Sequence, residues 1–194
     1  MNFPPGIKIT ITGDLGSGKS AVSRMLSERT GFQYISTGQI QRKLAQEMGV
    51  DTLEMNRLAD TDPDIDKKID GIFIALKDDP GQYVVDSRMA WFFLPQSFKV
   101  YLKADTAVAA DRILHDPNRN SEAYADREEA RQKILARKAS ENARFLAKYG
   151  ADCSDRANFD LVVDTTERRP EDVFALIIKG LESRLSGADF PREI

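Results

Sequence analysis

Short runs of β-branched and aromatic residues alternate along this chain with longer stretches in which apolar side chains return every three or four positions. The short runs fall at residues 7–12, 32–35, 83–85, 98–102 and 159–163. Each is bounded by turn residues and has the length of a buried strand. The longer stretches read as helices. Residues 20–28 place Val22, Met25 and Leu26 on one face, and 38–49 and 51–59 are also helical in pattern. A further helix opens at Asp62-Pro63 and turns Ile65, Ile69, Ile72, Phe73 and Leu76 inward. Asp79-Pro80-Gly81 breaks the chain. Helices also follow at 105–114 and from Pro170, where Val173, Phe174, Ile177, Ile178, Leu181 and Leu185 are apolar. Proline suits that opening because the first helical N–H has no partner inside the helix. Strands alternating with helices predict an α/β fold with a parallel sheet. From residue 186 onward the pattern lapses, which predicts a loose tail.

The most specific local signal follows the first run. Gly13-Asp14-Leu15-Gly16-Ser17-Gly18-Lys19-Ser20 fits the phosphate-binding loop G-x-x-x-x-G-K-[ST] between a strand and a helix. Its glycines let the backbone curl and aim successive N–H groups at a phosphate. The helix behind it points its N-terminal dipole at the same place. Lys19 adds a charge for the β- and γ-phosphates, and Ser20 is placed to hold Mg²⁺.

Composition narrows the class. With 194 residues, 41% apolar and 30% charged, the chain is long enough for one compact domain with a real core. A net charge of −3 argues against a general nucleic-acid binder. No apolar run approaches the length of a membrane span, so no membrane partner is expected. Cys153 is the lone cysteine, which rules out an internal disulfide and suits a reducing cytoplasm. His115 is the lone histidine, so neither a His/Cys metal cluster nor a Ser-His-Asp triad is expected.

Two segments exceed a minimal sheet-and-helix core, about 37–78 and about 115–149. Both leave from carboxyl ends of predicted strands, where ligands of such sheets bind. From 112 to 144, across the start of the second, stand Arg112, Arg119, Arg127, Arg131, Arg137 and Arg144. Arginine neutralises a transferring phosphoryl group well because its fork pairs two oxygens and stays charged. Interspersed acids, including Glu128, Glu129 and Glu141, mark some of these arginines as surface ion pairs, and Arg137 and Arg144 are the best functional candidates. Asp86, at the end of an apolar run, is placed to orient Mg²⁺, and Arg88 to face an acceptor phosphate across the same edge. A helix N-cap is the competing role for Asp86.

Several segments together resemble the nucleoside monophosphate kinases, and within them the short cytidylate kinases of the archaeal type. These are the P-loop, Ser36-Thr37-Gly38-Gln39-Ile40-Gln41-Arg42, Val85-Asp86-Ser87-Arg88-Met89-Ala90-Trp91, Arg137-Lys138-Ala139-Ser140-Glu141-Asn142-Ala143-Arg144-Phe145 and Phe159-Asp160-Leu161-Val162-Val163-Asp164. Ser87, Phe145, Asp14-Leu15 and Gln41 depart from the usual family residues. The resemblance implies a P-loop NTPase fold: a five-stranded parallel sheet flanked by helices, with a monophosphate-binding insert at about 37–78 and a lid at about 115–131. It implies ATP and Mg²⁺ as cofactors and a nucleoside monophosphate, CMP or dCMP, as acceptor for a cytoplasmic monomer. Gly13 to Ser20 and Arg119 are then expected to hold the donor. Thr37, Gly38, Arg42 and Arg88 are expected to hold the acceptor, with Asp66 and Asp70 reading its base. Ser20 and Asp86 would serve the metal, and Lys19, Arg137 and Arg144 the transfer. The alternatives are a P-loop kinase for another small molecule and a nucleotide-binding regulatory protein without turnover. A GTPase switch is disfavoured, because no guanine-reading N-K-x-D segment is present.

Overall fold

The computed structural model describes residues 3–50, 54, 55, 58, 63–116 and 124–194, without the side chains of Pro63, Asp64 and Asp66. Five parallel strands form one sheet: β1 (Lys8–Gly13), β2 (Gln33–Ser36), β3 (Tyr83–Asp86), β4 (Phe98–Lys103) and β5 (Leu161–Asp164). Their spatial order is β2-β3-β1-β4-β5, so β1 lies at the centre. Parallel neighbours demand long crossovers, and the helices supply them. They are α1 (Lys19–Thr30), α2 (Thr37–Met48), α3 (Pro63–Lys77), α4 (Ala90–Phe93), α5 (Thr106–Leu114), α6 (Arg127–Tyr149) and α7 (Pro170–Ser186). The predicted helix at 51–59 lies largely outside the described residues, of which 54, 55 and 58 are helical.

Alternation along β1 sorts the two faces. Ile9 and Ile11 join Val22 and Leu26 of α1 and Val173, Phe174 and Ile177 of α7 in one core. Thr10 and Thr12 face the other way and are buried, each with its hydroxyl bonded: Thr12 donates to the Ser87 carbonyl at 2.9 Å, and Thr10 meets Ser97 at 3.1 Å. The second core lies on that face, where Ile69, Phe73 and Leu76 of α3 pack with Tyr83, Val85, Trp91, Tyr101 and Phe159. A third cluster, Leu15, Ala110, Ile113, Ala130 and Ile134, ties the loop after β1 to α5 and α6.

Register fixes the carboxyl edge. Ile11 pairs with Asp86 and with Val100, and Ser36 pairs with Asp86, so β1, β2 and β3 end side by side. Asp86 closes β3; the short α4 starts later, behind Met89, so Asp86 is not its N-cap. Among the described residues no helix is long and apolar enough to cross a membrane.

The tail after α7 is not loose. The Val162 amide donates to Arg192, the Asp164 amide to Ile194 at 2.8 Å, and the Ile194 amide back to Val162 at 3.0 Å. Phe190 and Ile194 also pack against the first core. Periodicity misses this because the segment is too short to show any. Deleting residues 188–194 removes these bonds and contacts, so stability should fall by about 2–4 kcal/mol. Chemical denaturation would read this; an unchanged midpoint and slope would show that the tail adds nothing.

Candidate active site

The loop between β1 and α1 is held by close backbone approaches. At Gly13, a side chain would collide with the Leu102 carbonyl of β4, and the Asp14 amide donates to that same oxygen at 2.9 Å. Gly16 has a φ of +74°, and a Cβ there would stand 2.6 Å from the Ala109 carbonyl of α5. Leu15 is buried between α5 and α6, and Ser17 turns both its amide and its hydroxyl to the Asp14 carbonyl. Asp14 and Ser17 therefore shape the loop, while Leu15, Gly16, Gly18, Lys19 and Ser20 line the cleft in front of it. The Lys19 ammonium lies back across the loop, donating to Gly13 O at 2.9 Å and Asp14 O at 2.7 Å.

The Asp14 side chain is the anchor of a small network. One carboxylate oxygen accepts from Tyr101 at 2.7 Å and from Lys138 of α6 at 2.6 Å, and the other accepts from the Ala104 amide at 3.1 Å. Burial alone would raise its pKa; Lys138, Tyr101 and Ala104 together overcome that and hold the carboxyl below its ordinary value. Burial, then the same carboxylate, pushes the Tyr101 phenol upward. The Arg156 guanidinium covers the Tyr101 ring at 3.4 Å.

Ser20, in the first turn of α1, meets Asp86 at the end of β3. The Ser20 hydroxyl donates to an Asp86 oxygen at 2.7 Å, and the Tyr34 hydroxyl donates to that same oxygen at 3.2 Å. Burial, then the Asp86 carboxylate, raises the Tyr34 pKa. Tyr34 was not legible as a site residue; only its place on β2 beside β3 brings it here. Among the described residues no group of three or more His, Cys, Asp or Glu side chains could hold a metal. A hydroxyl beside one carboxylate fits Mg²⁺, which takes few protein ligands and fills its octahedron with phosphate oxygens and water.

Across the cleft, α2 begins behind Ser36, whose hydroxyl accepts from the Gln39 amide. This places Thr37, Gly38 and Arg42 on the cleft wall, with the Thr37 hydroxyl 3.4 Å from the Asp86 carbonyl. Asp70 of α3 lines the same wall and accepts from the Tyr149 hydroxyl at 3.0 Å. The Asp66 side chain and the whole of Arg119 lie outside the described residues, as does 117–123 of the predicted lid.

Helix α6 changes character along one face. Ala130 and Ile134 are apolar against α5, Arg137, Lys138, Glu141 and Arg144 follow one and two turns later, and Phe145 and Tyr149 return to apolar contact. Arg127 and Arg131 sit elsewhere, in exposed pairs with Asp111 and Glu128. Arg137, Arg144 and Arg88 converge on Glu141. Arg88 Nε lies 2.6 Å from one Glu141 oxygen, and Arg137 Nε donates to the other at 2.7 Å. Glu141 is thus not a freely solvated partner: its side chain is 14% exposed. Burial alone would raise its pKa, but Arg88, then Arg137 and Arg144, hold it below the ordinary value. Its spacing, four residues from Arg137 and seven from Ile134, was the available signal. Cys153 lies beneath Arg88, where burial pushes its thiol up to about 11 and keeps it protonated.

One cleft of about 710 Å³ joins all of these: the P-loop, Asp86, Thr37 and Arg42, Asp70, Arg88, Arg112 and the arginines of α6. That volume suits small-molecule ligands. A family model described as the cytidylate kinase-like family matches residues 8–167. The cytidylate kinase of Sulfolobus acidocaldarius is 38% identical over 93% of this chain and 100% of its own length. That of Sulfurisphaera tokodaii is 35% identical over 87% of this chain and 92% of its own length. Among solved structures, shikimate kinase from Acinetobacter baumannii in complex with shikimate matches at 17% identity with a TM-score of 0.59, covering 95% of this chain and 94% of that one. That last likeness is one of fold alone.

The Asp14 network makes a pH-dependent contribution to stability. A carboxyl with a depressed folded pKa stabilises the fold above its unfolded value of about 3.9, and the effect fades as pH falls through the folded value. Asp14→Asn should cost roughly 1–3 kcal/mol at neutral pH. The gap to wild type should close as pH drops below about 4. A gap that persists undiminished in acid, measured by urea unfolding, would refute the charge assignment.

Proposed function

The chain belongs to the cytidylate kinase-like family, and we propose that it transfers the γ-phosphoryl group of ATP to CMP, and to dCMP, giving ADP and the matching diphosphate. One observation carries this reading beyond the family match. A single cleft is lined by Lys19 of the P-loop, by Thr37, Gly38 and Arg42 at the start of α2, and by Arg88, Arg137 and Arg144.

The donor end uses the P-loop. Lys19 exchanges its two carbonyl partners for β- and γ-phosphate oxygens, a trade of neutral for charged hydrogen bonds. Ser20 and Asp86 would hold Mg²⁺, which would neutralise negative charge on the donor's phosphates. Tyr34 keeps Asp86 in place by its second hydrogen bond. Arg119 is assigned to the donor nucleotide.

The acceptor end uses Thr37, Gly38, Arg42 and Arg88 for the monophosphate. Asp70 and Asp66 read the base: a carboxylate accepts from the exocyclic amine of cytosine and repels the carbonyl that uracil presents there. Arg137 and Arg144 stabilise charge on the group in transit. No general base is needed, because the acceptor oxygen is already anionic. The insert at about 37–78 covers the acceptor, and the segment at about 115–131 closes as a lid that excludes water, a competing acceptor. We assign the reaction to a monomer in the cytoplasm, where one chain supplies both ends of the cleft and a single thiol stays reduced.

A panel of CMP, dCMP, UMP, AMP and GMP with ATP and Mg²⁺ tests the reading. ADP should form only with an added monophosphate, and kcat/KM should be highest for the cytidine pair. Lys19→Ala should keep its circular dichroism spectrum and lose about 10²–10³ in kcat. Turnover near that of the wild type would remove Lys19 from the mechanism. Asp70→Ala should narrow the kcat/KM gap between CMP and UMP, by up to about 10⁴ if the carboxylate is the main reader. An unchanged ratio in Asp70→Ala and in Asp66→Ala would place base reading elsewhere.

A further inference from the structure

The α6 carboxylate Glu141 has no part in the mechanism above, yet its side chain is largely enclosed, 14% exposed, in the cleft wall. It joins two elements that are distant in sequence: Arg88 follows β3 and Arg137 stands on α6. Both arginines approach it through the same atom, Nε: Arg137 in a hydrogen bond at 2.7 Å to one oxygen, and Arg88 as an ion pair at 2.6 Å to the other, which accepts no aligned hydrogen bond among the described residues. A guanidinium has a side edge, at Nε, and an end fork, formed by its two Nη groups. A carboxylate that takes the side edge fixes the direction in which the end fork points. Arg88 Nη2 is buried and has no hydrogen-bond partner among the described residues. A buried donor left open costs free energy unless an acceptor comes to it.

We propose that Glu141 is the positioning residue of the transfer site, holding Arg137 by a side-edge hydrogen bond and Arg88 by charge at the same edge, so that both forks face the space where the acceptor phosphate meets the donor. This rests on the reading of the cleft as a phosphotransferase site. Glu141 acts through the arginines and touches no reacting atom. Two other roles fit less well. A surface i,i+4 pair explains Arg137 but not Arg88, which comes from another element and is the more enclosed of the two. A general base would need a proton to accept, and a carboxylate set between arginines is a poor acceptor of one.

The enclosure has an electrostatic reason. Arg88, Arg137 and Arg144 share one end of the cleft, and Arg144 lies three residues beyond Glu141 on the same helix face. Three like charges spread apart without an answering anion, and each loses its aim. One fixed carboxylate holds them together before substrate arrives, so the cost of ordering is met during folding and not at binding.

The test compares Glu141→Gln, which keeps the shape, with Glu141→Asp, which keeps the charge on a shorter arm. Wild type is assayed first with CMP, UMP, AMP and GMP. A failure to use CMP overturns the acceptor assignment, and the variants are then compared on whichever monophosphate is used. Glu141→Gln should lose about 10²-fold in kcat/KM for the acceptor while KM for ATP moves less than about threefold. Glu141→Asp should recover part of that loss. Equal losses for both substrates, or Asp no better than Gln, would mean a structural role alone. An acceptor KM below that of wild type would mean that Glu141 competes with phosphate and does not position for it. A readout independent of turnover is the arginine Nε–H signals in ¹H–¹⁵N spectra. Those of Arg88 and Arg137 should be slow to exchange in wild type and in Lys19→Ala, and fast in Glu141→Gln. Fast exchange in the wild type would overturn the proposal.

Discussion

Lys19, Arg42, Arg88, Arg112, Arg137 and Arg144 all face one cleft, and like charges held that close repel unless something answers them. The fold supplies its own answers. The ammonium of Lys19 is taken by two loop carbonyls, and Arg88 and Arg137 by Glu141. Arg112 donates to the carbonyls of Thr165 and Thr166 beyond β5, at 2.7 and 3.1 Å. These oxygens stand where substrate oxygens could otherwise be demanded, so the cationic wall exists before any phosphate enters. The partners differ in consequence. Carbonyls give up a cation at small cost, since they are neutral. The Glu141 pairs are charged and enclosed, so they are the arrangement least open to rearrangement.

The P-loop and α6 behave as one unit for a related reason. Leu15 is buried with Ala130 and Ile134, and Asp14 holds Lys138. The loop thus gives α6 an apolar contact at one level and an ion pair a turn further on. The arginines that follow on that helix inherit their position from the loop that would hold the donor. In the proposed reading, donor grip and transfer-site geometry would share a mechanical base through residues far apart in sequence.

The parts of this molecule that were legible in the sequence are those encoded locally. Strand runs, helix faces and the glycine spacing of the P-loop each depend on neighbours a few residues away. Arg137 and Arg144 could be separated from Arg127 and Arg131 only in part, because interleaved acids give every face of that helix the look of solvated charge. The enclosure of Glu141 was not legible for the same reason: it depends on Arg88, which arrives from the end of β3. Tyr34, Lys138 and Tyr149 are similar cases, each given its place by sheet order or by the return of α6 across α3. Asp14 was readable as a loop filler but not as the acceptor of three donors, two of which come from β4 and its following turn.

The edge pairing beyond β5 has a consequence for how this chain keeps company with others. An open parallel sheet ends in two rows of unpaired amides and carbonyls, each a template for a strand from another molecule. At one side the row is only as long as β2, four residues. At the other, the segment around Arg192 to Ile194 has already taken the exposed groups of Val162 and Asp164. The sheet is thereby closed to further strands by length on one flank and by occupancy on the other. Among the described residues, neither flank offers a long open edge on which intermolecular β-structure could grow.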